Sequence, residues 1–109
     1  MKRFVLTRLA RHDLEEIWEY VAKDSIKAAT RVLNHLEASI RVLANNPGIG
    51  HVRQDLADRR HRFFPAGSYL IVYRYQTKPL QIIRTLHAAR DVQKLLDIEP
   101  DSFDVDDLN

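Results

Sequence analysis

The fold of this chain is decided around one stretch of sequence, Asn45-Asn46-Pro47-Gly48-Ile49-Gly50-His51. It contains two of the three glycines and one of the four prolines among 109 residues. Apolar residues recur at helical spacing before this stretch, and they come in short β-rich runs after it. Because the residue before a proline avoids the α region, the stretch ends a helix and separates a helical half from a β-rich half.

Two amphipathic helices are predicted before the turn. The first follows Thr7, whose hydroxyl can accept a hydrogen bond from a free amide of the first helical turn. Asp24-Ser25 signals the start of a second helix of about 20 residues, which ends at Asn45-Asn46, where Asn tolerates a left-handed cap. The joint between the helices is short enough to require an antiparallel hairpin. The apolar stripe of the first helix consists of Ala10, Leu14, Ile17, Trp18 and Val21.

The pattern after the turn predicts a sheet. The expected elements, in chain order, are strand 2–6, the two helices, loop 48–58, edge strand 59–64, central strand 69–75, turn 76–79, strand 80–86 and a short helix over 90–96. This β-α-α-β-β-β order predicts an α+β fold, in which the N-terminal helical hairpin packs on one face of a small, mostly antiparallel, twisted sheet. Trp18 is expected to pack against Tyr69, Ile71 and Tyr73 between the two layers.

Charge divides the chain into a basic body and an acidic tail. The net charge is +2, but residues 97–109 contain six acidic residues and no Lys or Arg. Residues 1–96 therefore carry a net charge of +8. We expect one domain over 1–97 and an acidic, mobile tail over 98–109. A basic body suits an anionic partner, and an ordinary solvated surface is the alternative.

Several classes of protein are excluded or disfavoured by composition. The chain has no cysteine, which excludes disulfides and thiolate metal sites. No apolar run approaches the ~20 residues of a membrane span, and Arg8 and Arg11 interrupt the apolar N-terminus too early for a signal peptide. The histidines lack the spacing of metal ligands, and glycine-rich phosphate loops are absent. We expect a cytoplasmic protein without a metal or cofactor.

A group of cationic residues forms the candidate site. They follow the turn on successive predicted strands, and alternation along each strand can bring several of them to one face. Such a patch would bind an anionic partner or a phosphate backbone without sequence selectivity, whereas a charged solvent-facing surface is the alternative. The candidates are Arg59, Arg60, Arg62, Arg74, Arg84, His87 and Arg90.

Four of these residues would form the catalytic set if the chain cleaved RNA. Attack by a 2′-hydroxyl needs a base, an acid and cations on the phosphate. His87 would be the base or acid, and Arg62, Arg84 and Arg90 would hold the phosphate. One histidine without a second proton-transfer residue is an incomplete set, so we do not expect an enzyme.

Four segments match, in order, the pattern of a known family. They are the strand–helix junction at 6–20, the turn at 46–51, the strand at 69–73 and the segment 82–91, which closes with His-x-x-Arg-Asp. Together they resemble the ParE/RelE-type toxins of bacterial type II toxin–antitoxin systems. The resemblance covers residues 2–96 and implies the same β-α-α-β-β-β fold.

The resemblance also implies a partner and a target. The partner would be a cognate ParD-like antitoxin, whose acidic C-terminal segment folds around the toxin in a hetero-oligomer. ParE-like members inhibit DNA gyrase, whereas RelE-like members cut mRNA on the ribosome. Leu70 stands where RelE-like nucleases carry an Arg, and residues 92–98 offer no Tyr or His. We therefore favour a gyrase inhibitor. The alternatives are a ribosome-dependent mRNA endoribonuclease and a non-toxic member of the fold.

Overall fold

The structure is a computed structural model that describes residues 3–52, 61–91, 93–94 and 105–106. The helices in this part of the chain are α1, Arg8–Ala22, and α2, Ile26–Asn45, and a 3-10 turn over Pro47–Ile49 follows α2. The strands are β1, Phe4–Thr7; β2, His61–Ala66; β3, Tyr69–Arg74; β4, Leu80–His87; and β5, Val105–Asp106.

The strands form one mixed sheet in the order β2-β3-β4-β1-β5. β2, β3 and β4 make an antiparallel meander, with Tyr69 of β3 opposite His87 of β4. β1 lies parallel to β4, so that Phe4 is opposite Leu80. The predicted α+β fold, with a helical hairpin followed by a mostly antiparallel sheet, is confirmed.

Polar side chains begin both helices, as predicted. Thr7 Oγ1 and Ser25 Oγ each accept a hydrogen bond of 3.0 Å from the amide three residues further along. α2 has 20 residues. Its end differs from the expectation, because Asn46 has a φ of −140° instead of a left-handed φ. Asn46 closes the helix by donating from its backbone and its side chain to the Val42 carbonyl.

Apolar side chains pack on both faces of the sheet. The larger cluster lies between the sheet and the helices and includes Ile17, Leu36, Ile40, Leu43, Ile71, Tyr73 and Ile82. A second cluster consists of Phe63, Val72, Ile83 and Leu86. Because neighbouring residues of a strand point to opposite faces, Val72 faces away from Ile71 and Tyr73. β3 therefore contributes to both clusters, as predicted for a central strand.

Two predictions about individual residues are wrong. Trp18 is 38% exposed and lies outside the core. It follows Ile17, which is buried, and the next residue of a helix points about 100° away. The edge strand predicted over 59–64 was expected to end before Pro65, but Pro65 lies inside β2. An edge strand tolerates proline because one of its sides has no neighbouring strand to receive an N–H group.

Only part of the predicted C-terminal region falls within the described residues. Residues 88–91 form a turn, and residues 93–94 have a helical backbone. Val105–Asp106 pairs antiparallel with β1. The rest of the predicted helix and tail lies outside the described ranges, so the mobility of the tail stays a prediction. Within those ranges, no helix is both long and apolar enough to cross a membrane.

Candidate functional site

The turn after α2 is fastened to the sheet by the hydroxyl group of Tyr73, whose side chain is fully buried. This hydroxyl donates to the Pro47 carbonyl at 2.6 Å and accepts from the Gly50 amide at 2.8 Å. A Cβ on residue 50 would lie 2.8 Å from Cε1 of Tyr73, so only glycine fits there. Burial raises the pKa of Tyr73, while the Gly50 hydrogen bond and the charge of Arg62 act to lower it.

Arg62 fixes the same turn from β2. Its guanidinium donates to the carbonyls of Gly48 and Gly50 at 3.2 and 3.1 Å. The guanidinium carbon also lies 4.1 Å from the centroid of the Tyr75 ring. Arg62, which was predicted as a phosphate ligand, thus uses Nη1 to hold the turn of its own chain.

Arg84 is paired with a buried carboxylate of α1. Its Nε and Nη2 atoms donate to the two oxygens of Asp13, each at 2.7 Å, and the Thr85 amide donates to Asp13 at 3.0 Å. The side chains of Arg84 and Asp13 are 14% and 3% exposed. The hydrogen bonds to Asp13 raise the pKa of Arg84, and desolvation opposes them. The pair holds α1 against β4.

Asp13 was not among the residues predicted from the sequence. The residue lies on the apolar stripe of α1, three positions after Ala10 and four before Ile17. An acidic residue at such a position requires a buried partner, because an isolated charge is costly to remove from water. That placement was the signal that could have found it.

The residues after β4 form a turn that is closed by hydrogen bonds among its own residues. The His87 amide donates to Asp91 Oδ2 at 2.8 Å, and the Asp91 amide donates to the His87 carbonyl at 2.9 Å. Nδ1 of His87 accepts from the amides of Ala89 and Arg90, at 3.3 and 2.9 Å. This pattern assigns an unprotonated Nδ1, so the proton of the neutral ring is on Nε2.

Arg90 extends from this turn over an aromatic ring of α1. Its guanidinium carbon lies 4.4 Å from the centroid of Tyr20, which is 56% exposed. On the other side of the turn, the ring of His87 meets Tyr69 edge to face, with the centroids 5.5 Å apart. Tyr20 was not among the residues predicted from the sequence. An aromatic residue on the polar side of an amphipathic helix was its only signal.

The structure separates the candidate cations into different places. Arg62 and Arg74 lie near the end of β3. His87 and Arg90 lie near the end of β4, about 17 Å away along the strands. Arg84 faces α1. Arg59 and Arg60 lie outside the described residues. Target binding by these residues stays a prediction. Among the residues that are described, no three His, Cys, Asp or Glu side chains could hold a metal ion together.

A groove of about 510 Å³ runs between α2 and β1. Its floor is apolar and its rim is polar and charged: Phe4, Leu6, Leu14, Leu33, Ile40 and Ala44 form the floor, and Arg3, Asn34, Glu37 and Arg41 form the rim. A second depression of about 530 Å³ shares Arg3 and Ala44 with it and continues to the turn between β3 and β4. Together they make an elongated surface beside β1, which the sequence analysis did not anticipate.

Comparison with known proteins assigns the chain to a family. The sequence profile of the ParE toxin of type II toxin–antitoxin systems, parDE, matches residues 4–92. The chain belongs to the ParE toxin family. Toxin ParE1 of Caulobacter vibrioides is 31% identical to it over 94 residues, which are 85% of this chain and 96% of that protein.

A solved structure shows the same fold. A chain of the chromosomal ParDE toxin–antitoxin system from P. aeruginosa superposes with a TM-score of 0.65 and 21% sequence identity. The match covers 80% of this chain and 96% of that chain. The resemblance seen in the sequence is therefore confirmed, and the protein is a ParE toxin of a type II toxin–antitoxin system.

Proposed function

We propose that this ParE toxin inhibits DNA gyrase by binding it, and that a cognate ParD-like antitoxin neutralises it. Family membership supports the toxin role and the existence of an antitoxin. One observation supports binding over catalysis: two arginines of the hypothetical nuclease set, Arg62 and Arg84, donate hydrogen bonds to acceptors within the chain. Gyrase works in the cytoplasm, which is where we propose that the toxin acts.

The chemistry of the predicted nuclease residues disfavours RNA cleavage. Arg62 donates to glycine carbonyls and Arg84 to Asp13, so neither guanidinium is aimed at a phosphate. Nδ1 of His87 accepts two backbone hydrogen bonds, which leaves the proton on Nε2. Nε2 cannot act as a base while those bonds persist, and it is a very weak acid in a neutral ring. Both proton transfers of the reaction then lack a residue within this set.

The groove between α2 and β1 is the place where we propose that the antitoxin docks. An apolar floor with a charged rim accepts the apolar face of an amphipathic segment. Arg3 and Arg41 on the rim can pair with acidic residues of that segment. The net charge of +8 on residues 1–96 would steer an acidic partner towards the toxin.

A supercoiling assay tests the proposal. We expect the purified toxin to block negative supercoiling by purified gyrase, and we expect an equimolar amount of antitoxin to restore it. A parallel in vitro translation reaction should keep its mRNA intact. Normal supercoiling in a large excess of toxin refutes gyrase inhibition. Ribosome-dependent mRNA cleavage that disappears in His87→Ala would instead favour the endoribonuclease.

A further inference from the structure

We propose that Arg90 is the residue through which the toxin contacts its target, and that His87 and Asp91 are positioning residues that hold it in place. The inference rests on the proposed function, because the target is taken to be gyrase. It divides the His-x-x-Arg-Asp segment into one contacting residue and two residues that act through it.

The turn fixes the backbone that carries Arg90. His87 Nδ1 accepts from the amides two and three residues further along, which is how the side chains of Asn, Asp and Ser cap helices and turns. Asp91 closes the turn from the other side by accepting from the His87 amide. The Asp91 amide returns a hydrogen bond to the His87 carbonyl. Both side chains therefore act on the backbone around Arg90.

Tyr20 holds the side chain of Arg90 at the surface. The 4.4 Å distance from the guanidinium carbon to the ring centroid is a cation–π contact, and the ring is exposed. Contact with a ring face does not use the N–H groups of the guanidinium, which lie in its plane and can donate to an acceptor with two oxygens. Arg62 and Arg84 differ, since Nη1 of Arg62 and both Nε and Nη2 of Arg84 donate to acceptors within the chain. Arg90 is thus held in a geometry that favours an external oxyanion.

The surroundings of Arg90 favour a carboxylate on a protein over the phosphates of DNA. A phosphate backbone is bound by several cations acting together. Charges of both signs lie near Arg90. Oδ1 of Asp91, the next residue, is 3.9 Å from Nζ of Lys94. The negative charges of Asp91 and Glu16 also raise the pKa of Arg84. One arginine in such surroundings fits a single Asp or Glu side chain through two parallel hydrogen bonds. The partner is therefore an acidic protein surface of gyrase.

Substitution of Arg90 tests the contact. Arg90→Ala should raise the toxin concentration needed for half-inhibition of supercoiling at least about tenfold, as expected for a central charged contact. Arg90→Lys should recover only part of the inhibition, because an ammonium group lacks the planar, bidentate geometry. Arg31→Ala removes an exposed arginine of α2 and is the matched control, for which we expect no change. Antitoxin affinity and the thermal midpoint should stay unchanged in all three variants.

Substitution of His87 separates positioning from proton transfer. His87→Asn keeps a side-chain acceptor at the same number of bonds from the backbone, and His87→Ala removes it. We expect His87→Asn to stay within about threefold of the wild type, and His87→Ala to lose inhibition at least about fivefold, because a lost cap loosens the turn. A proton-transfer role would inactivate both variants, which would overturn the assignment.

Direct binding identifies the class of partner. Wild-type toxin should bind purified gyrase subunits without DNA, and Arg90→Ala should weaken this binding. An effect of Arg90→Ala on binding to a DNA duplex alone would overturn the carboxylate assignment. If Arg90→Ala inhibits supercoiling as well as the wild type, the inference fails and the proposed function stands. If the wild type itself leaves gyrase unaffected, both fail.

Discussion

The phenol hydroxyl of Tyr73 accepts a 2.8 Å hydrogen bond from the amide of Gly50. The Tyr73 ring also fills the space in which a side chain on residue 50 would lie. The contact joins the turn that follows α2 to the central strand of the sheet. It explains in physical terms why the Asn-Pro-Gly-Ile-Gly-His stretch separates the two halves of the chain.

Gly50→Ala should destabilise the protein by about 2–3 kcal/mol. The new methyl group would press on the fully buried Tyr73 ring and displace the hydrogen-bonded turn. Urea denaturation measures the change in the free energy of unfolding. Gly48→Ala is the matched control, since a Cβ there meets nothing within 4 Å and should change stability by less than about 0.5 kcal/mol. Equal effects of the two substitutions would contradict the close contact between Gly50 and the Tyr73 ring.

Tyr73 should make the protein less stable in alkaline solution. Its pKa is raised above the ordinary value of 10.0, so the folded protein keeps a proton that the unfolded chain releases. The stability contribution is complete below pH 10 and is lost as the pH rises through the folded pKa. Between about pH 9 and about pH 11, the free energy of unfolding should therefore decrease more in the wild type than in Tyr73→Phe. Parallel profiles would show that Tyr73 does not contribute.

Asp13→Ala should cost about 3–5 kcal/mol of stability, because it leaves the buried charge of Arg84 and the Thr85 amide without their partner. Removal of Arg84 as well should cost less than the sum of the two single changes, since each deletion removes the same pair. Chemical denaturation of the two single variants and the double variant measures this coupling.

Glu16→Ala serves as the control for the Asp13 variants. The Glu16 side chain is 54% exposed and forms a surface pair with His12, so its removal should cost less than about 1 kcal/mol. If Asp13→Ala proves as mild as Glu16→Ala, then the carboxylate of Asp13 does not hold α1 to β4.

Arg41→Glu should weaken antitoxin binding at least about tenfold, because it places a negative charge on the rim of the groove that we propose for an acidic segment. Inhibition of gyrase by the free toxin should persist. Titration calorimetry with the purified antitoxin measures the affinity. Arg31→Glu makes the same charge change on α2 away from this groove, and we expect a much smaller loss. Equal losses for the two variants would argue for general charge attraction and against the groove.

Local features of this fold could be predicted because their signals lie in neighbouring residues. The side chains of Thr7 and Ser25 accept hydrogen bonds from amides only three residues away, and the continuous apolar run of β3 is visible within the strand itself. The exposure of Trp18 could not be predicted with the same ease. Helical spacing places it at the margin of the apolar stripe, and tertiary packing decides on which side of that margin it falls.

The site was harder to predict, because its contacts join distant parts of the chain. The residues of the Asp13–Arg84 pair are 71 positions apart, and Tyr73 bonds a carbonyl 26 positions away. Composition reveals that an arginine is present, but it does not reveal which acceptor its donors reach. Arg62 and Arg84 were therefore predicted to bind an external partner, whereas in the folded chain they donate to the Gly50 carbonyl and to Asp13.

The parallel pairing of β1 with β4 has a consequence for how the toxin is made. A ribosome synthesises Phe4 long before Leu80, its partner in the sheet, because the two residues are 76 positions apart in the chain. The pairing of β1 with β4 must therefore wait until β4 has been synthesised, since a long loop has to be spanned before the two strands can join. A product that stops short of β4 leaves its first strand without a neighbour, and interrupted synthesis should release no folded toxin into the cell.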